Sequence, residues 1–264
     1  MFKHKPYFAK AFLHTAGQSL YMKINQLYFL MGLAFAISLS GLMIGVKEYH
    51  SKKVIAAGVC LLIGSIALYC LSKLEQIIDK YFQGLHGERL VRDQLETLIR
   101  KGYEIINDIP CEKCNIDFLV IGPSGIYVIE VKNPTKIKTE KITYMNGQIY
   151  VGPQNFDAKS PEFQKLKRPL NKKDPLAQIH KNADWVARFF KKTEHKKVGQ
   201  IKSALLFPQF WVDNYSSDVW IMNPEHFVGE ILKQPNNILN SQEVEKMASM
   251  IRAYIYGKSD IAFE

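Results

Sequence analysis

Three charged side chains stand where strands usually carry apolar ones. Asp117 opens the run Asp-Phe-Leu-Val-Ile, and Glu130 and Lys132 lie at the end of Ile-Tyr-Val-Ile-Glu-Val-Lys. Residues two apart on a strand point to the same face, so Glu130 and Lys132 project together. The two runs are consecutive and joined by Pro123-Ser124-Gly125, a turn composition, so they are expected to pair, with Asp117 across from the Glu130 end. Two carboxylates and one ammonium would then share one rim of a small sheet. That set suits metal-dependent phosphodiester hydrolysis. Mg²⁺ takes hard oxygen ligands, typically one or two carboxylates plus water and substrate phosphate. The ion polarises the phosphate and lowers the pKa of a bound water, and a nearby Lys can orient that water and stabilise charge developing on phosphorus. A strand-end salt bridge uses the same three residues and contributes little; the spacing alone leaves both readings open.

The elements that would hold this triad can be read outward from it. Apolar positions Leu90, Val91, Leu95, Leu98 and Ile99 recur at helical spacing from Glu88 to the stop at Lys101-Gly102. His86-Gly87 is expected to break an amphipathic juxtamembrane helix over 73–83. Strands are predicted at 103–106, 117–121 and 126–131. Two more, at 142–145 and 148–151, flank Asn146-Gly147, a strong two-residue hairpin signal. Residues 152–173 read as a loop. Asp174-Pro175 caps the next helix, with Pro at its first position, and Leu176, Ile179, Ala183, Val186, Ala187 and Phe190 form its apolar face. The run 201–207 reads as a strand buried on both faces, and 219–222 as a shorter one. Asn223-Pro224 opens a short helix, and Ser241 is expected to cap a last one. The order describes one α/β domain over 84–264.

With these pieces in place, the chain resembles the nuclease-related domain, NERD, a branch of the PD-(D/E)xK nuclease superfamily. The resemblance rests on Gly87-Glu88, Gly102-Tyr103, the segment from Asn115 to Pro123, the segment from Gly125 to Lys132, and Pro175-Leu176-Ala177-Gln178, and it covers about residues 84–190. It implies a restriction-endonuclease-like core with a mixed central sheet flanked by helices. It also implies roles: Asp117 and Glu130 as ligands of Mg²⁺ or Mn²⁺, and Lys132 as water-positioning base or charge stabiliser. Glu88 would be the acid of the first helix, and Gln178 a contact to phosphate or to Lys132. Read from the residues alone, Glu88 is better explained as a first-turn acid favoured by the helix dipole, and Gln178 is equally a solvated amide. Family members often carry a His directly after the Asp; Phe118 stands there.

The expected partner is nucleic acid, DNA in the first instance. Lys159, Lys165, Lys167, Arg168, Lys172 and Lys173 crowd the 152–173 loop against Asp157 and Glu162. Such a loop would neutralise phosphates without reading sequence; a solvated basic loop has the same composition. No base-reading, Walker or dinucleotide motif is present. Cys111-Glu112-Lys113-Cys114 has the gap of a zinc half-site, but no second pair completes it, and a reduced turn pair is expected. The alternative to a nuclease is a non-catalytic module that tethers nucleic acid or a protein.

Charge and hydropathy divide the chain. Its 264 residues hold 35 Lys and Arg against 25 Asp and Glu, a formal charge of +10. Residues 1–71 contain seven Lys and one Glu, so +6 of that charge lies there. Two uncharged runs, 27–46 and 54–71, are 20 and 18 residues long. About 20 apolar residues cross a bilayer as a helix, so a transmembrane hairpin over 25–72 is expected, behind a basic tail over 1–24. A signal peptide or a buried helix pair are the alternatives. Total positive charge places both ends on the cytoplasmic side, whereas charge density favours the connecting loop; the former is the expectation.

Overall fold

The computed structural model describes residues 51–264, apart from 112–114, 137–138, 171–173, 193–200, 214–217 and 260–264, together with scattered positions between 28 and 40. The chain divides into two compact units, Met1–Phe82 and Gln83–Glu264, each taken by itself below.

In the first unit, the described part is mainly the start of helix α1 (Ser51–Ile99). Its residues Val59, Leu62, Ile66, Leu68 and Tyr69 each expose more than half of their surface. Among the described residues no helix is long and apolar enough to cross a membrane, and the expected hairpin is not shown. The tail 1–24, much of the 27–46 run and the linker positions 47–50 lie outside the described residues.

In the second unit, α1 continues without interruption through His86-Gly87, so the expected break is absent. The reason lies in packing. Gly87 is buried, and a Cβ there would come within 2.6 Å of the Asn133 Cβ. The glycine serves a close approach of helix to strand end. Asn133 Nδ2 completes the contact by donating to the Gln83 carbonyl at 2.8 Å.

Five strands, β1 (Glu104–Pro110), β2 (Asn115–Gly122), β3 (Gly125–Val131), β7 (Lys202–Leu206) and β9 (Val219–Met222), form one sheet in that order. β1, β2 and β3 pair antiparallel, whereas β3, β7 and β9 are parallel, giving the mixed sheet. β7 lies between two neighbours and its residues Ser203 to Leu206 are buried, as its near-continuous apolar run foretold. A second sheet has the order β6 (Arg168–Pro169), β5 (Gln148–Pro153), β4 (Glu140–Met145) and β8 (Trp211–Asp213). The β4–β5 turn is Asn146-Gly147 with φ of 51° and 77°, the left-handed pair that a two-residue hairpin needs and that Asn-Gly adopts at low cost. The 152–173 stretch is not the expected loop. It holds helix α2 (Pro161–Leu166), capped by Ser160, whose side chain accepts from the Phe163 N–H, and then β6.

Helices α3 (Pro175–Lys192), α4 (Pro224–Leu232) and α5 (Ser241–Ser259) complete the unit. The Leu176 N–H donates to Asp174 Oδ1, and the His226 N–H to Asn223 Oδ1, so two of the expected starts are capped. At α5 the cap is Asn240, not Ser241: the Glu243 N–H donates to Asn240 Oδ1 and the Asn240 N–H to Glu243 Oε2, both at 2.9 Å. This reciprocal pair is a capping box.

Two apolar clusters enclose the five-stranded sheet. Val91, Leu95 and Leu98 of α1 pack with Phe118, Tyr127, Ile129 and Phe227. Ile179, Val186 and Phe190 of α3 pack with Leu119, Ile126 and Val128, together with Met247 and Ile251 of α5. Alternation along β3 therefore turns Tyr127 and Ile129 toward the α1 side, and Val128, Glu130 and Lys132 toward the α3 side.

Candidate active site

The register of β2 against β3 pairs Phe118 with Ile129, so Asp117 falls one step further, opposite Glu130. The two carboxylates share the face toward α3. Asp117 Oδ2 accepts the Val131 N–H at 2.7 Å, which ties its carboxyl to the backbone between Glu130 and Lys132. Lys132 Nζ donates to Glu130 Oε1 at 2.5 Å. The Lys132 backbone continues the ladder by donating to Leu206 O at 2.9 Å. The Glu130 side chain is 3% exposed and that of Lys132 24%, so the carboxylate lies inside and the ammonium reaches toward solvent.

Helix α3 closes the other side. Gln178 Oε1 accepts from Lys132 Nζ at 3.3 Å. One turn on, Asn182 Nδ2 donates to Glu130 Oε2 and to Asn115 O, each at 3.3 Å. His180, between them in sequence, is exposed. Glu88 is half-buried on α1 and feels the charges of Glu130 and Lys132. Asp117, Glu130, Lys132, Glu88 and Gln178 thus form one electrostatically connected group.

Burial is the leading influence on all three acids. It pushes Glu88 up to about 7, helped by the negative charge of Asp108 and opposed by Arg92. The Asp117 carboxyl sits deep enough that burial, reinforced by the Glu130 charge, holds it well above the usual carboxylate range; the Val131 N–H works in the opposite sense. Burial also raises Glu130, even against Lys132. Lys132 and Arg92 oppose these shifts without cancelling them.

Among the described residues no group of three or more His, Cys, Asp or Glu side chains is placed to hold a metal ion. Asp117 and Glu130 supply two hard oxygen donors, enough for an ion that keeps water and substrate oxygens in its shell. The set fits Mg²⁺ or Mn²⁺ and, with no thiol or imidazole, does not favour zinc.

Two contributors, Asn182 and Asp108, escaped the sequence reading, as did the packing role of Gly87. Asn182 lies four residues after Gln178, an i,i+4 spacing that could have flagged a shared face. Asp108 stands opposite Asp117 in the β1–β2 register, between the Asn107–Phe118 and Ile109–Ile116 pairs. Its φ of 53° is unusual for a strand, although Asp tolerates it better than most residues. Gly87 carries no chemistry, and its role is visible only once Asn133 is placed against it.

The described basic residues of the 159–173 cluster differ in their surroundings. Lys159 and Lys165 are exposed. Lys167 lies over the Tyr150 ring, 4.4 Å from its centre, and donates to Gln164. Arg168 is paired with Glu140 at 3.0 Å and donates to Thr135 O at 3.1 Å, so it knits β6 to β4 and to the chain leaving β3. Lys172 and Lys173 lie outside the described residues, as does Cys114. The Cys111 thiol approaches Ile109 O at 3.6 Å. Phe118, in the position where a His was expected, is 1% exposed and packs on the α1 side. It points away from Glu130.

A mixed sheet flanked by helices, with acids and a Lys gathered where an antiparallel pair meets the parallel strands, fits a nuclease-like α/β core. Residues 83–208 match the family model of the nuclease-related domain, a span running from the α1 segment beside the site through β7. No curated protein and no solved structure matches the chain.

Proposed function

We propose that the nuclease-related domain hydrolyses phosphodiester bonds in nucleic acid, DNA first, using Mg²⁺ or Mn²⁺ held by Asp117 and Glu130. The observation that carries this reading is the clasp of Glu130 by Lys132 at 2.5 Å with Asp117 joined to the intervening Val131 N–H. When bound, the cation supplies Lewis-acid polarisation of the phosphate and a water of lowered pKa. Asp117 and Glu130 would hold it from two adjoining strands. Lys132 holds its ammonium beside the carboxylates and donates toward the attacking water or the phosphate oxygens. Gln178 limits the directions the Lys132 tip can take. Glu88, raised to about 7, can hold or release a proton near neutral pH at the edge of the group.

Attachment to a bilayer, with the domain on the cytoplasmic side, is the accompanying proposal. Its support is the pair of uncharged runs 27–46 and 54–71 and the flanking Lys residues. Retention of the full chain in the membrane pellet after alkaline carbonate washing is expected; release into the supernatant would remove this part.

The activity is tested by incubating the purified full chain with single-stranded DNA, duplex DNA and RNA, in Mg²⁺ and in EDTA. Cleavage in Mg²⁺ alone is expected, with Glu130→Ala losing at least ~100-fold, on the scale of removing one group that stabilises the transition state. Salt-sensitive binding with no turnover on any substrate would identify a tethering module instead.

A further inference from the structure

Helix α3 is matched to β3 in spacing. Glu130 and Lys132 are two strand residues apart, roughly 6.6 Å along the strand. Gln178 and Asn182 are four helical residues apart, about 6 Å along the axis. One face of α3 can therefore serve both β3 side chains, and it does: Gln178 meets Lys132 and Asn182 meets Glu130. We propose that Asn182 is a positioning residue that fixes the Glu130 carboxylate in the orientation used to bind a divalent cation. This rests on the metal-dependent reading above and extends it to a residue that touches neither substrate nor ion.

Three observations carry the assignment. First, Asn182 is 0% exposed, and its Nδ2 reaches Glu130 Oε2 and Asn115 O. One amide thus spans the strands that bear Glu130 and Asp117. Second, Lys132 already takes Glu130 Oε1; the Asn182 bond to Oε2 holds the second oxygen and stops rotation about the carboxylate axis. Third, Asn182 Oδ1 is buried with no hydrogen-bond partner among the described residues. An unmatched buried polar atom is destabilising, so a position selected for packing alone would carry an apolar side chain. A neutral amide also orients the carboxylate without cancelling its charge, whereas Lys or Arg there would compete with the cation.

The test is Mn²⁺ binding by calorimetry to the full chain, for wild type, Asn182→Leu, Asn182→Ala and Val186→Ala. Val186 is fully buried in the apolar cluster on the same helix, so its variant controls for general loosening of α3. Thermal unfolding of each variant is recorded alongside. The expected result is Mn²⁺ affinity about 10–100-fold weaker for both Asn182 variants, the usual scale when a group orienting a ligand is removed, with wild-type affinity for Val186→Ala. If one Asn182 variant does not fold, the other decides. Wild-type affinity in a folded Asn182 variant would overturn the positioning role while leaving metal binding in place. An equal loss in Val186→Ala would reduce Asn182 to a structural role. Absence of Mn²⁺ binding by the wild type would overturn both this inference and the metal reading on which it rests.

Discussion

Asp117, Glu130 and Lys132 owe their arrangement to short-range rules. Strand alternation puts Glu130 and Lys132 on one face, and the tight turn after Gly122 brings Asp117 opposite, so this much could be read from spacing. The electrostatics could not, because they depend on how deeply each carboxyl is enclosed. Glu88 shows the difference. From sequence it is a helix acid; in the fold, burial and Asp108 raise it to about 7, while Arg92 and Lys132 pull it down and Glu130 pushes it up, with Asp117 also in its field. An unfolded Glu ionises near 4.5, so between about pH 4.5 and 7 the folded state holds a proton that the unfolded state has lost. Ionisation across that window favours unfolding, and stability declines as pH rises through it. Asp117 and Glu130 are raised as well and act in the same sense, so the diagnostic is a difference. In EDTA, the stability of Glu88→Gln, followed by urea unfolding, should fall less steeply with pH than that of wild type. Parallel curves would show that Glu88 ionises as if exposed.

Elements with strong local signals sit where the sequence places them. Asn146-Gly147 makes the β4–β5 turn, Asn223 caps α4, and the apolar run of β7 lies between two parallel neighbours. Apart from the local Asn240 cap of α5, the misses share a cause: tertiary contact overrode or completed a weak local pattern. Ser160-Pro161-Glu162 is a fair helix start, but α2 is six residues long, too short for a periodic apolar face. β6 is a two-residue strand whose pairing depends on the β4–β5 hairpin being present. His86-Gly87 resembles a helix break, yet α1 passes through because the glycine admits Asn133. That close approach places Glu88 beside the triad, so it predicts a coupled loss. Gly87→Val would force a side chain against Asn133 and should destabilise the unit by about 1–3 kcal/mol, typical of overpacking. Cleavage should fall even at temperatures where the variant remains folded, because Glu88 is displaced with the helix. Unchanged thermal unfolding together with unchanged cleavage would show that α1 is not seated on the strand end.

For the whole molecule, the +10 charge proves a poor guide to function when taken as one number. Six of those charges belong to residues 1–71. In the second unit Arg168 pairs with Glu140 while 43% of its side chain stays exposed, Lys167 lies over Tyr150 and donates to Gln164, and Lys159 and Lys165 are exposed. Sequence composition could not separate a phosphate-binding base from one that holds two strands together; their partners lie 28 and 17 residues away. The nuclease-like core, matched over 83–208, is what the charge pattern alone would have missed. Its activity hangs on whether the Asp117, Glu130 and Lys132 group is catalytic or merely an ion pair at a strand end. The most direct measurement is the single-turnover cleavage rate of DNA by the full chain in Mg²⁺, comparing wild type with Lys132→Met. The account predicts Mg²⁺-dependent cleavage by wild type and a loss of roughly 100–1,000-fold in the variant, with DNA binding largely retained. Equal rates for the two proteins would contradict it.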